Sequence, residues 1–279
     1  MRLDEPLNAE SGTYFDGTLM DSLRTPYQLI EVFDTPALGK LMRIDGANMT
    51  SERDEFFYHE NLVHPAAIAH ASPRKVLIVG GGDGGSSEEI LKHPSVERVV
   101  LAELDQGVID IAKKYFHSVH RDVFENPKLD VRIVDGAAFI KTTKHEFDLI
   151  YLDLTDPIGP AAALYTQDFF RDCRSALAAG GALALHIGSP FAQPERVASS
   201  MRILRAAFSR VAPYFVHIPS YGAVWGFAVA SDAIDPRTLD SRAVEQALTQ
   251  RGIGDRQYYD GRTHEAMLAL PGYIKTLIG

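Results

Sequence analysis

The stretch LIVGGGDGGSSEEI, residues 77–90, decides the fold. Three apolar residues run into a cluster of glycines, and a helix-forming segment follows. A buried strand that turns tightly into a helix reads this way, with the helix N-terminus and the bare backbone of Gly80, Gly81, Gly82, Gly84 and Gly85 open to a nucleotide-like ligand. One residue is out of keeping. Asp83 puts an acid at the apex of the loop, where a phosphate would be expected.

Outward from this loop, strands and helices alternate. KVLIVG (75–80) is a strand and SSEEILKH (86–93) a helix. RVVLAEL (98–104) is a strand and QGVIDIAKKYF (106–116) a helix. VRIVDG (131–136) and FDLIYLDL (147–154) are strands. TQDFFRDCRSAL (166–177) is a helix and GALALHIG (181–188) a strand. That rhythm predicts a parallel, doubly wound α/β sheet with ligands at the strand carboxyl ends. Two later apolar runs around SYGA (220–223) predict an antiparallel hairpin. Upstream, YQLIEVF (27–33) and KLMRI (40–44) are short strands about a Pro/Gly turn, followed by a helix with an apolar face over 55–70. SPRK (72–75) reads as a linker. The expected organisation is a β-rich region with a linking helix over 1–71 and a Rossmann-like region over 72–279.

The chain has 279 residues, 46% of them hydrophobic, which is enough for a packed core. It carries 28 basic and 37 acidic residues, a net charge of −9. Nucleic acid and anionic lipid need a basic footprint, so neither is an expected partner. The single cysteine, Cys173, excludes an internal disulfide and a multi-cysteine metal site. The polar, acidic N-terminus resembles no signal peptide, and no run of about 18 apolar residues indicates a span. A cytosolic protein is expected. In HENLVH (59–64) the two histidines are five apart and do not share a helix face, so zinc is not expected. Cys173 reads as a core residue, and Trp225 as core or pocket wall.

Glu103 closes the second parallel strand, 23 positions after Gly80, where an acid accepts from both ribose hydroxyls. Dinucleotides and S-adenosyl compounds both fit so far. Asp83 discriminates: a pyrophosphate about 4 Å away at an effective dielectric near 20 would be repelled by roughly 4 kcal/mol per charge pair. A sulfonium with a free ammonium would be attracted, and the carboxylate of ordinary S-adenosylmethionine would be disfavoured. Asp135, after the third strand, can accept from an adenine amino group. LAAGGALALHI (177–187) resembles the turn before the fifth strand of adenosylmethionine-dependent methyltransferases. FDLIYLDLTDPIGPAAALYT (147–166) then sets Asp153 and Asp156 three apart at the end of a buried strand. Pro157 stops the strand, and Gly159 and Pro160 shape a loop with the composition of a gate. An amine substrate gives both acids work: one takes the proton from the attacking nitrogen, the other anchors a distant ammonium.

GGGDGG, LAELD, VDGAAFI, LDLTDPIGPAAALYT and the upstream IDGANMTSERDEFFYHENLVHPA together resemble the spermidine synthases, the polyamine aminopropyltransferases. The similarity runs from about Tyr27 to QYYDGRTHEAMLALP (257–271). It implies an N-terminal β-domain, a Rossmann-like methyltransferase-type domain, and a homodimer. It implies transfer of the aminopropyl group of decarboxylated S-adenosylmethionine to a polyamine amine, with no other cofactor and no metal. The resemblance assigns Asp83 to the donor's ammonium, Glu103 to its ribose, and Asp135 with Gly136 to its adenine. Asp153 becomes the general base with Tyr58 beside the attacking nitrogen. Asp156 and Tyr221 line the acceptor site. Gln28 matches the family's YQ pair, which is grouped with Gly80 and Gly82 on the donor side, and His59 and Glu60 match a YHE pattern near the acceptor.

Three departures from the family pattern are expected near the ligand entrance: Met49 in place of a common glutamine, Glu88 in place of a basic residue, and a tightened PSYGAVWGF. With ENLVHPA they resemble the thermospermine synthase branch. That likeness bears on the acceptor rather than the reaction: putrescine is the leading acceptor, and spermidine, giving spermine or thermospermine, the alternative. A methyltransferase and a non-catalytic adenosyl-binding module are the readings from other classes.

Overall fold

The computed structural model describes residues 1–157 and 163–279. Gly159 and Pro160, and most of the expected gating loop, lie outside the described residues. The chain opens with a hairpin of β1 (Arg2–Pro6) and β2 (Gly12–Asp16). A four-stranded antiparallel sheet follows in the order β3 (Thr18–Arg24), β4 (Leu29–Thr35), β5 (Gly39–Ile44), β6 (Ala47–Ser51). YQLIEVF and KLMRI are β4 and β5. The four strands before and after them were not evident in the sequence. Strand β3 is exposed or half-buried at every position, so it carries no apolar run to betray it.

Helix α1 (Glu55–Ala69) has no single apolar face, contrary to expectation: twelve of its fifteen residues are buried. It packs into the core cluster of the large sheet through Tyr58, Leu62, Val63 and Ala66. Pro65 lies inside it. Proline has no N–H, so the Asn61 carbonyl loses its helical donor. The Tyr214 hydroxyl donates to that carbonyl instead, at 2.8 Å.

The large sheet has seven strands: β7 (Lys75–Gly80), β8 (Arg98–Glu103), β9 (Leu129–Ile133), β10 (Phe147–Asp153), β11 (Leu177–Gly188), β12 (Arg210–Ile218) and β13 (Ala223–Ser231). Their spatial order is β12-β13-β11-β10-β7-β8-β9. The first five in chain order run parallel; β12 and β13 form the expected antiparallel hairpin. The expected helices appear as α2 (Gly85–Leu91), α3 (Gln106–Tyr115) and α6 (Gln167–Ala176). Between them lie α4 (His117–His120) and α5 (Gly136–Lys141), and after them α7 (Pro194–Ala207), α8 (Ser241–Gln250), α9 (Gly261–Leu268) and α10 (Gly272–Ile278). None of these described helices is long and apolar enough to cross a membrane.

Candidate active site

Strands β7 and β10 are neighbours, with Gly80 opposite Asp153. From β7 the chain moves outward through β8 and β9, then returns to the other side of β7 with β10. That reversal leaves a crevice at the strand carboxyl ends. A cleft of about 240 Å³ occupies it, lined by Gln28, Tyr58, His59, Gly80, Gly82, Asp83, Glu103, Asp135, Gly136, Asp153 and Tyr221 among others. Residues scattered over nearly 200 positions of sequence thus meet in one place.

The glycine loop is held tightly against β10. The Gly81 N–H donates to the Asp153 carbonyl at 2.8 Å. Gly80 has φ +78°, and a Cβ there would fall 2.1 Å from that carbonyl oxygen. Any side chain would have to push the two strands apart.

Asp83 is not a bare acid. One oxygen accepts from the Gly85 N–H at 3.1 Å, and the other lies 3.3 Å from His59 Nε2. His59 Nδ1 lies 2.7 Å from a Glu55 carboxylate oxygen. Both imidazole nitrogens therefore face carboxylates, which only accept, so both carry protons and the ring is a cation. Burial opposes that charge, but Asp83 and Glu55 hold the imidazole well above its ordinary pKa. Burial pushes the Asp83 carboxyl up; His59 and the Gly85 N–H more than offset it, and the net shift is downward. Gly85 makes this possible, since a Cβ at that position would meet the His59 ring at 2.2 Å.

Asp153 accepts from the Ser86 hydroxyl at 2.7 Å. Burial and then the charge of Asp83 push its carboxyl up to about 6. The Tyr58 hydroxyl is buried in the same cleft without a partner among the described residues. His59, Asp83 and Asp153 bring ligand atoms within 4.8 Å of one another. With both of its nitrogens donating, His59 has no lone pair for a metal.

Glu103 accepts from the Asp105 N–H at 2.9 Å, yet burial carries its carboxyl to about 7. Asp135 spends one oxygen capping α5, accepting from Ala137 and Ala138 N–H groups, which leaves the other for a ligand. Gln28 donates to Asp105 at 3.0 Å, tying the N-terminal sheet to the large one. Asp105 was not singled out in the sequence, although it also accepts from Thr25 and caps α3.

A second cavity of about 190 Å³ shares Gln28, Ile44, Met49, Leu154, Thr155 and Tyr221 with the first, so the two are adjacent. Glu5, Asn48, Asp156, His186, Gln193 and Trp225 also face it. Asp156 is where expected but is already paired: Arg196 Nη1 lies 2.7 Å from it. That guanidinium holds its carboxyl below the usual range against the effect of burial. Glu5 accepts from the Asn48 N–H at 2.8 Å, and burial pushes it up to about 7. The Tyr221 hydroxyl donates to the Met49 carbonyl at 3.2 Å.

Two expectations are corrected, those for Glu60 and Glu88, while His59 lines the first cavity beside Asp83, with Tyr58 and Asp153. Glu60 lines neither cavity; it accepts three backbone N–H groups of Gln257, Tyr258 and Tyr259 at 2.6–2.9 Å and fastens the C-terminal segment. Glu88 also lines neither cavity and pairs with Lys92 at 3.0 Å. Met49 and the tightened hairpin do reach the cavities, and Trp225 is both buried and a cavity wall. Cys173 is fully buried in the core.

Residues 55–240 match the spermine/spermidine synthase domain. The polyamine aminopropyltransferase of Nitrosomonas europaea is 49% identical over 275 residues, covering 98% of this chain and 85% of that protein. Polyamine aminopropyltransferase 2 of Hyperthermus butylicus is 39% identical, covering 91% of this chain and 84% of that one. Among solved structures, a spermidine synthase in complex with the transition-state analogue AdoDATO superposes with a TM-score of 0.94 at 33% identity, covering 100% of this chain and 95% of the other. The spermidine synthase of Thermotoga maritima superposes with a TM-score of 0.92, also at 33% identity, covering 100% and 94%.

Proposed function

The chain belongs to the spermine/spermidine synthase family, and from that membership we propose that it moves the aminopropyl group of decarboxylated S-adenosylmethionine to putrescine, releasing methylthioadenosine. It is a polyamine aminopropyltransferase in this reading, acting as a homodimer. The observation that carries the reading is the charge of the cleft: Asp83, Glu103, Asp135 and Asp153 line it, with His59 as the cation among them. Such a cleft suits a donor bearing a sulfonium and an ammonium and no carboxylate.

Each side chain then has a task. Glu103 accepts from the ribose hydroxyls, and the free oxygen of Asp135 accepts from adenine above Gly136. Asp83 takes the donor ammonium, with Gly80 and Gly82 leaving room for the close approach. The sulfonium is already a good leaving group, so the protein must align a neutral amine with the reacting carbon at about 3–3.5 Å. An amine of pKa near 10 is mostly charged at neutral pH, and deprotonating it costs roughly 4 kcal/mol. Asp153 takes that proton, and the Tyr58 hydroxyl, without a partner among the described residues, orients the nitrogen. Tyr221 walls both cavities between donor and acceptor. The acceptor's far ammonium meets Glu5, whose ion pair with Arg43 is long at 3.6 Å, whereas Arg196 holds Asp156 at 2.7 Å.

The test is methylthioadenosine release from the decarboxylated donor with a panel of amines, run beside intact S-adenosylmethionine. Release with putrescine and none with the intact donor supports the reading. Methyl transfer from the intact donor would overturn it.

A further inference from the structure

We propose that Arg196 sets the acceptor limit of this enzyme: by holding Asp156 it leaves Glu5 as the buried acid of the second cavity that no guanidinium hydrogen-bonds, which selects a diamine over a triamine. The inference rests on the aminopropyltransferase reading above and deepens it.

Arg196 stands at the start of α7, behind the wall of the second cavity. Its Nη1 reaches Asp156 at 2.7 Å and the side-chain amide oxygen Oε1 of Gln193 at 3.1 Å. Its Nη2 lies 3.2 Å from His186 Nδ1. Trp225 Nε1–H also points at that Nδ1, at 3.2 Å. Two donors on one nitrogen mean that Nδ1 is unprotonated, so the proton sits on Nε2, which faces the Leu154 carbonyl at 2.9 Å and the Tyr165 hydroxyl at 2.7 Å. His186 is therefore neutral, and burial and the neighbouring guanidinium keep it so by lowering it to about 4. One cation thus fixes Asp156, Gln193 and His186, three of the residues facing the cavity.

Of the acids on this cavity, Asp45 belongs to an exposed turn. Asp156 is neutralised by Arg196. Glu5 is buried, and its nearest cation, Arg43, stands 3.6 Å away. A diamine with one nitrogen at Asp153 has a single further ammonium, and Glu5 serves it. A triamine brings one more ammonium, which finds Asp156 already held and a guanidinium behind it. Arg196 is thus a positioning residue that acts through the carboxylate it occupies.

The experiment compares putrescine and spermidine on the intact enzyme, on Arg196→Gln, and on the double variant Asp156→Asn/Arg196→Gln. The readout is the spermidine-to-putrescine ratio, taken both as kcat/KM and as amine affinity with methylthioadenosine in the donor site. Arg196→Gln frees the carboxylate and should raise the ratio by about tenfold or more, the scale of one partly screened charge pair. The double variant removes carboxylate and guanidinium together and should return the ratio to near the wild-type value. An unchanged ratio in the single variant overturns the proposal. So does an equal rise in both variants, which would mean that space rather than the freed acid admits the longer amine. A wild type that already favours spermidine overturns it as well. Binding of both amines without nucleoside release would instead sink the transfer reading, and the affinity ratio would still decide the role of Arg196. Arg196→Lys, which keeps the charge, should keep the ratio low if the glutamine variant does not fold.

Discussion

Replacing Asp153 by asparagine should make the protein more stable and nearly inactive. The folded chain lifts this carboxyl from 3.8 to about 6. Each pKa unit is worth about 1.4 kcal/mol, so holding the ionised group in the cleft costs about 3 kcal/mol at pH 8. A group whose folded pKa is raised costs nothing below its unfolded value, near 4. The cost grows as pH rises from about 4 to 6 and is constant above; roughly half of it is already present at pH 5. Part of the side chain faces the water of the cleft, and screening there makes 3 kcal/mol a ceiling. Asparagine can still accept from the Ser86 hydroxyl, while the bond from Gly81 goes to the backbone carbonyl and survives. Urea denaturation at pH 5 and pH 8 should therefore show the variant more stable at both, with the larger margin at pH 8. Loss of a general base should lower turnover by about 10²–10⁴, with affinity for methylthioadenosine largely kept. A margin that does not widen with pH, or turnover within tenfold of wild type, would refute the reasoning.

Two further outcomes follow from the same cleft and its support. Burial carries the Glu103 carboxyl to about 7, and in the proposed donor complex only its ionised form accepts from both ribose hydroxyls, so affinity for methylthioadenosine should fall about tenfold per unit below pH 7; calorimetry across pH 6–8 checks this, and Glu103→Gln should flatten the profile. Glu60→Ala leaves three backbone N–H groups without an acceptor, which should cost about 3 kcal/mol or more and lower the melting temperature; an increase in the amine KM without a loss of stability would return Glu60 to the acceptor site.

The large sheet was legible because four of its five parallel strands are buried apolar runs closed by a glycine or an acid, β9 being the half-exposed exception. The glycine loop, Glu103, Asp135 and Asp153 sit at those closures, so strand position alone brought them to one crevice. The first hairpin was not legible, since β1 buries only Leu3 and the charged Glu5, and β2 alternates exposed with half-buried residues, and Glu5 went unnoticed with them. Helix α7 had its signals: Pro194 at its first turn and buried Val197, Met201 and Leu204 at helical spacing. Reading it would have drawn attention to Arg196. His186 had one too, as the lone polar side chain near the carboxyl end of a buried strand. No signal in the sequence shows that Asp156 is paired, or that His59 turns toward Asp83 and Glu60 away from it. Those are contacts between segments far apart in the chain, and helix spacing is silent about which of two acidic neighbours a side chain will meet.

The puzzle of an acid inside a glycine cradle has a different answer in three dimensions than in one. Asp83 alone would repel any carboxylate on a ligand, yet His59 already neutralises much of that charge. Selectivity must then belong to the group rather than to the residue. In the cluster about His59, the ionised carboxylates of Glu55, Asp83 and Asp153 carry three negative charges and His59 one positive, a net of two. A donor with a sulfonium and an ammonium balances that net, whereas a donor that keeps its carboxylate leaves one charge unmatched in a cleft screened only partly by water. Protonating Asp153 removes one negative charge, so the cleft that cannot accept a proton from the amine is also the one that discriminates least between donors. In the proposed reaction catalysis and donor choice thus draw on the same carboxylate, and Asp83 raises the pKa of that carboxylate by its own charge.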